Sequence, residues 1–275
     1  MPRFPIVSIA AFVAFVGWAM PVATHGAAAD GFDDKKALEI SQAAIGRTLA
    51  DHAFLDRNNG VIRLADFKGK PLVVNLIYTS CSHTCPLIAS ALVKAVKTAE
   101  AGLGRGAFSV VTVGFDTKAD TPARMRAFAR TQGIDLPNWH FLSADAATID
   151  RLADETGFIF FASMKGFDHL AQISILDGMG RVYRQVYGAD FEPQLVVEPL
   201  KELIYGRAAG ATGWEGIVNR VKLFCTIYDP ASGRYRFDYR VVIMVVVGGL
   251  TLSGIGIFAV SAWVRARRRE NNARA

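Results

Sequence analysis

Leu72-Val-Val-Asn-Leu-Ile-Tyr-Thr-Ser-Cys81-Ser-His-Thr-Cys85-Pro86 is the stretch that decides the fold. Its first six residues form a largely apolar, β-branched run, which predicts a buried strand. A short polar loop with two cysteines follows. Pro86 then opens a helical pattern, because proline is favoured where its missing N–H has no intrahelical partner. The cysteines are therefore expected at the start of a helix, where free N–H groups and the helix dipole stabilise a thiolate.

An apolar segment near the N-terminus predicts export. Residues 5–20 form an apolar run behind the basic residue Arg3, and Ala27-Ala28-Ala29 is a small-residue stretch of the cleavage type. This combination is typical of a signal peptide and too short to favour a permanent membrane span. Residues 1–29 are therefore predicted to be a signal peptide.

A second apolar segment predicts a transmembrane helix at residues 240–264. Residues 241–264 carry no ionisable group over 24 positions, which suits a tilted span. The basic tail at 265–275 is predicted to stay in the cytoplasm by the positive-inside rule. The signal peptide predicts the same orientation, so residues 30–239 are expected on the far side of the membrane.

The basic charge of the chain does not indicate a nucleic-acid partner. The formal net charge is +6, but residues 265–275 contribute five arginines against Glu270, and Arg3 adds another positive charge. The exported part is therefore close to neutral and has no basic stripe, which excludes nucleic-acid binding as its function.

Residues 51–205 are predicted to form one α/β domain. Residues 30–50 are charged and weakly periodic and are expected to be an exposed lead-in, whereas 206–239 indicate a Gly/Ala-rich linker and a juxtamembrane segment. Between them the pattern gives a β-hairpin, three strands that alternate with three helices, a second β-hairpin and a closing helix. This order predicts a mixed sheet flanked by helices on both faces.

The two loop cysteines leave several chemistries open. At this spacing Cys81 and Cys85 suit a disulfide, structural or redox-active, or a shared soft metal ion. Two thiolates satisfy linear Cu(I) but leave Cu(II) or Zn(II) short of ligands, so a third donor is expected from elsewhere. His169, in a loop that enters the predicted strand 171–176, is one candidate. His83, between the cysteines, is another.

Two further residues are expected to have no role in the site. His52 is predicted to be solvent-exposed. Cys225 is predicted to be a free thiol, because three cysteines in an exported chain leave at least one without an intramolecular partner.

The motifs resemble those of a known family. The pattern Tyr-Thr-x-Cys-x-x-x-Cys-Pro at 78–86, then Asp168-His169 before a strand–Asp-Gly–strand hairpin, is similar to the Sco/SenC family. The resemblance covers roughly residues 45–205. It implies a thioredoxin-like mixed sheet with an added β-hairpin. The chain departs from the family in Ser82-His83-Thr84, where an acidic residue is common, and in its C-terminal anchor.

The resemblance also implies a function. Cys81, Cys85 and His169 would bind copper, as Cu(I) or Cu(II). The protein would help to build the binuclear copper site of cytochrome c oxidase subunit II. Its partners would be that subunit and other copper-transfer proteins. The domain would lie in the bacterial periplasm, anchored to the inner membrane. An alternative is a thiol–disulfide oxidoreductase for the cysteines of that copper site, with Cys81 attacking and Cys85 resolving.

Overall fold

The computed structural model describes residues 32–164, 166–209, 226–229, 234–237 and 239–274. The predicted signal peptide and Cys225 lie outside these residues.

Helices and strands alternate through most of the described chain. The helices are α1 (Asp34–Ala43), α2 (Thr84–Leu103), α3 (Pro122–Thr131), α4 (Ala146–Thr156), α5 (Gln194–Ala209) and α6 (Tyr239–Arg274). The strands are β1 (Ala53–Asp56), β2 (Val61–Arg63), β3 (Leu72–Ile77), β4 (Ser109–Gly114), β5 (Trp139–Ser143), β6 (Phe160–Ser163), β7 (Gly166–His169), β8 (Gln172–Leu176), β9 (Val182–Tyr187), β10 (Thr226–Asp229) and β11 (Arg234–Phe237).

A seven-stranded sheet forms the centre, in the order β2-β1-β5-β4-β3-β8-β9. Strands β3, β4 and β5 are parallel, whereas β1 pairs antiparallel with β5 and β8 pairs antiparallel with β3. All six residues of β3 are buried, as expected for a parallel strand covered on both faces. The predicted mixed sheet is confirmed.

Helices cover both faces of this sheet. The ring of Phe141 in β5 packs against Phe128 of α3, with 6.4 Å between the ring centroids. On the opposite face, the side chains of Gln172 and Gln185 donate hydrogen bonds to the backbone carbonyl of Thr156 in α4. Helices α2 and α5 pack against each other. The strand that precedes the cysteines therefore lies in the covered centre of the fold.

Two elements depart from the sequence prediction. The lead-in at 30–50 contains α1, which is capped by Asp33 and buries Ala37 and Ser41. Residues 166–170, expected to be a loop, are mostly strand β7, which pairs antiparallel with β6. Short segments are difficult to assign from periodicity because packing against the domain, rather than their own pattern, stabilises them.

The C-terminal segments are a hairpin and a long helix. Strands β10 and β11 pair antiparallel, and β11 contacts α2. Helix α6 covers the segment predicted to cross a membrane. Within the residues that the structure describes, no helix combines the length and apolar character that crossing a membrane requires. The membrane anchor stays a prediction from the sequence.

Helix α4 ends at a glycine that other residues cannot replace. Gly157 has a φ of +66°, and a Cβ atom there would lie 2.7 Å from the carbonyl oxygen of Ile40. Gly133, with a φ of +63°, has no atom within 4 Å of the same position. We predict that Gly133→Ala lowers the free energy of unfolding by roughly 1 kcal/mol, through backbone strain alone, and that Gly157→Ala lowers it by roughly 2–4 kcal/mol. Urea denaturation measures both, and equal losses would contradict the packing argument.

Candidate thiol and metal centre

The two cysteines lie where the strand β3 gives way to α2. Cys81 is partly exposed in the loop after β3, and Cys85 is buried in the first turn of α2, one residue before Pro86. The expected strand–loop–helix placement is confirmed. Both cysteines are free thiols in the structure.

Several hydrogen bonds stabilise a thiolate at Cys81. The pKa of Cys81 is lowered to about 4, mainly because the thiol of Cys85 donates a hydrogen bond to its sulfur. The backbone N–H of Cys85, 3.3 Å from the sulfur, the backbone N–H of His83 and the hydroxyl of Tyr78 add to this effect, and partial burial opposes it. Cys81 is therefore ionised at neutral pH.

Cys85, in contrast to Cys81, keeps its proton. The hydrogen bond to Cys81 raises the pKa of the Cys85 thiol far above its ordinary value, and burial of Cys85 raises it further. One proton is therefore held on Cys85 while Cys81 is charged. An accessible thiolate beside a buried thiol is an arrangement suited to thiol exchange and to the binding of soft metals.

A buried carboxylate fixes the backbone of the cysteine loop. Oδ1 of Asp120 accepts hydrogen bonds from the backbone N–H of Thr79, at 2.8 Å, and from its hydroxyl, at 2.7 Å. Oδ2 accepts from the backbone N–H of Asp116, at 2.9 Å. Burial raises the pKa of Asp120 against the effect of these donors. The carboxylate thereby ties the end of β3 to the segment after β4.

His169 is the last residue of β7 rather than a loop residue, which corrects the prediction. Its Nδ1 lies 3.0 Å from the carbonyl oxygen of Leu170. Because a carbonyl only accepts, Nδ1 carries the proton, and in the neutral ring Nε2 keeps a free lone pair. This is the tautomer that a metal-binding histidine needs.

Aromatic rings hold the hairpin β6–β7 against the ends of β3 and β4. The imidazole of His169 lies 5.9 Å from the ring of Tyr78 and 5.4 Å from the rings of Phe115 and Phe158, between centroids. Phe115 also contacts Phe167 of β7, at 5.3 Å. The ring of Tyr78 thus packs beside His169, three positions before Cys81 in the chain.

The structure brings the predicted ligands into one region without assembling them. Among the residues described, no group of three or more histidine, cysteine or acidic side chains is close enough to hold one metal ion. The ligand set of Cys81, Cys85 and His169 therefore stays a prediction. His83, the alternative donor, is exposed at the start of α2.

The prediction for His52 is wrong. His52 is buried, and its Nε2 lies 2.7 Å from a carboxylate oxygen of Glu155 in α4. Because this pair joins the segment before β1 to α4, its role is structural.

Sequence reasoning missed the roles of Tyr78 and Asp120. Tyr78 lies inside the motif, so its position beside the cysteines could have suggested a contact. Asp120 lies 35 residues after Cys85, and only the pairing of β3 with β4 brings it to Thr79.

The fold and the site define a class: a thioredoxin-like protein with an activated cysteine pair at the start of a helix. A profile of the SCO1/SenC family matches residues 41–205, which is more than half of the chain. The chain belongs to the SCO1/SenC family.

Solved structures agree with this fold. A candidate electron transfer protein from Aquifex aeolicus VF5 has 27% sequence identity and a TM-score of 0.53, with 57% of this chain and 92% of that chain covered. BsSco, a member of the Sco family of cytochrome c oxidase assembly proteins with a disulfide switch, has 16% identity and a TM-score of 0.52, covering 57% and 94%. Copper-bound ScoI from Arabidopsis thaliana has 14% identity and a TM-score of 0.50, covering 56% and 99%. A comparison with curated proteins finds no match.

The low pKa of Cys81 gives a prediction for its reactivity. In the reduced, metal-free protein, alkylation of Cys81 by iodoacetamide should be nearly independent of pH between about pH 6 and 8, because the thiolate is already formed. Cys85→Ala removes the S–H donor and should raise the pKa of Cys81, whereas Cys85→Ser keeps an O–H donor and should raise it less. Mass spectrometry measures the rates. A wild-type rate that rises about tenfold per pH unit in this range would contradict the assignment.

The carboxylate of Asp120 gives a prediction for stability. Asp120→Ala leaves the two donors of Thr79 and the N–H of Asp116 without their acceptor, so we expect a loss of roughly 1–3 kcal/mol in the free energy of unfolding. Asp135→Ala is the control, because that side chain is 96% exposed and pairs with Arg57 only at 3.6 Å; it should change stability by less than about 0.5 kcal/mol. Equal effects in urea denaturation would show that Asp120 is not an anchor.

Proposed function

We propose that this protein binds copper through Cys81, Cys85 and His169 and delivers it to the binuclear copper site of cytochrome c oxidase subunit II. The observation that carries this proposal is the position of Cys81, which is partly exposed beside the buried Cys85 at the start of α2, where its pKa is lowered to about 4. Thiolate sulfur is the donor that Cu(I) prefers. Copper is the cargo of this protein, and the donor chemistry of the cysteine loop fits it.

His169 is the proposed third ligand. Its Nδ1–H is engaged by a backbone carbonyl, which leaves Nε2 as the available donor. An imidazole nitrogen added to two sulfurs makes Cu(II) acceptable as well as Cu(I). Because the described residues do not form a three-donor group, His169 must approach the sulfurs when the metal binds.

Transfer follows from exchange of ligands. Thiols of an acceptor protein would replace Cys81 and Cys85 around the ion, without a change in covalent bonds of the chain. Copper affinity should fall at low pH, because protons compete for the sulfurs and the imidazole. Family membership supports this role, as do the copper-bound Arabidopsis protein and the link of BsSco to oxidase assembly.

The proposed location is the periplasmic side of a bacterial inner membrane. Residues 1–29 would direct export, residues 240–264 would anchor the chain, and the basic tail would stay in the cytoplasm. These proposals rest on the sequence patterns and on the family's usual compartment.

Metal analysis of the full-length protein tests the copper site. We expect one copper ion per chain and Cu(II)–thiolate charge-transfer bands in the ultraviolet–visible spectrum. The double variant Cys81→Ala, Cys85→Ala should bind no copper at this site. His169→Ala should lose the Cu(II) bands, whereas the matched control His83→Ala should keep them. If only His83→Ala loses the bands, the third ligand is His83 of the cysteine loop and not His169 of β7. Copper binding by the double variant would refute the site.

The unequal pKa values favour a second function, the reduction of the acceptor's cysteines. The Cys81 thiolate would attack the acceptor disulfide, and Cys85 would then displace the reduced acceptor thiol by forming a disulfide with Cys81. His169 takes no part in this exchange. Assembly of the oxidase in cells that carry His169→Ala therefore discriminates the functions: loss of assembly favours copper delivery, and retained assembly favours thiol exchange.

A further inference from the structure

A cavity of about 390 Å³ opens beside the carboxyl ends of β4 and β5. Its walls come from the segment between β4 and α3, from the end of β5 with the start of α4, and from the hairpin β1–β2. The cysteine loop follows β3 instead, and none of residues 78–86 lines the cavity. The volume lies in the range of sites that hold small organic ligands, about 300–1,000 Å³. The cavity is therefore separate from the thiol centre and large enough for a ligand of its own.

The topology of the sheet places this cavity where a ligand is expected. Strands β4 and β5 are parallel neighbours, and the helices that follow them leave to opposite faces of the sheet. Phe128 of α3 packs on one face, whereas α4 is bonded through the carbonyl of Thr156 on the other. In open α/β sheets, ligands bind outside the carboxyl ends of strands at the point where the connections change face. The cavity lies at such a point.

Ser143 supplies a buried polar group in the cavity wall. It is the last residue of β5 and is only 5% exposed. Its Oγ has no hydrogen-bond partner among the residues that the structure describes. A buried hydroxyl without a partner is unfavourable, since it has lost its bonds to water and gained none from the protein. A ligand in the cavity would provide the missing partner.

The rest of the wall indicates the chemistry of that ligand. Phe54, Leu55, Val61 and Pro122 form an apolar side. Asp120 and Asp145 contribute carboxylates, and among the described residues that line the cavity there is no lysine, arginine or histidine.

The carboxylate of Asp120 has room for a further donor. It accepts three hydrogen bonds from Thr79 and Asp116, whereas a carboxylate has about four acceptor positions. Acceptor groups and negative charge beside an apolar wall favour a ligand that has an apolar body and a positively charged donor. They disfavour an anion.

We propose that this cavity is a binding site for a small organic amine. The ammonium group would lie toward Asp120 and the hydroxyl of Ser143, and the apolar body would pack against Phe54, Leu55 and Val61. No covalent step is involved. The proposal goes beyond the proposed copper delivery, because it uses neither the cysteines nor His169. A failure of copper binding would leave it standing, and its own failure would leave the copper site standing.

Two probes of the same shape and opposite charge test the proposal. Benzylamine carries a positive charge at neutral pH, and benzoate carries a negative one. In the full-length, reduced, metal-free protein, titration with benzylamine should shift the NMR signals of the backbone amides at 117–121 and 143–145. Benzoate should bind at least about tenfold more weakly. Equal binding of benzoate, or benzylamine shifts that spare these two segments, would overturn the proposal.

Variants of the cavity wall separate binding from folding. Ser143→Ala removes the unpartnered hydroxyl, so it should weaken benzylamine binding roughly fivefold without a loss of stability in urea denaturation. Ser109→Ala, at the opposite end of the neighbouring strand β4, is the matched control and should bind as the wild type. Val61→Lys, at a rim position that is 70% exposed, adds a positive charge and should weaken benzylamine but not benzoate. Wild-type affinity for benzylamine in both Ser143→Ala and Val61→Lys would refute the site.

Discussion

The site depends on one unequal hydrogen bond, in which the buried thiol of Cys85 donates to the partly exposed sulfur of Cys81. Because the helix start supplies further N–H donors to the same sulfur, charge collects on the accessible cysteine, while the proton stays on the enclosed one. A symmetric pair would offer neither a ready nucleophile nor a defined first ligand. Both proposed functions follow from this asymmetry, which is why the geometry of the thiols alone does not separate them.

The surroundings keep this pair in place from two sides. Asp120 holds Thr79 with two hydrogen bonds, and thereby fixes the backbone that leads into the loop. Tyr78 faces the other way, toward the hairpin β6–β7. The cysteine loop is thus fixed to the rigid carboxyl end of the parallel strands, whereas the histidine is carried by a two-stranded element outside the central sheet. A sulfur pair on the central sheet and an imidazole on a separate hairpin would suit the proposed role, in which an ion is both accepted and released.

The parts of the site that could be predicted are those set by residues that are neighbours in the sequence. The apolar run of β3, the loop thiols and Pro86 fix the strand–loop–helix placement of the cysteines through steric and hydrogen-bonding rules that act within a few residues. His169 was proposed as a ligand by resemblance, but its strand was not predicted, since β7 packs against the ring of Phe115 from a distant part of the chain. His52 was assigned to the surface because nothing near it in sequence indicates Glu155, 103 residues away.

The sequence by itself determined the family, the α/β class and the identity of the paired cysteines, because each of these is written in contiguous patterns or short motifs. The sequence also suggested Cys81 as the attacking cysteine, but only the tertiary structure gave the reason, since burial and donor geometry are properties of the packed chain rather than of residue order. The tertiary structure also decided that Tyr78 packs against His169, and that Asp120 anchors the loop. Contacts between residues far apart in the chain come into existence only when the sheet has formed, and the chemistry of this site resides in those contacts.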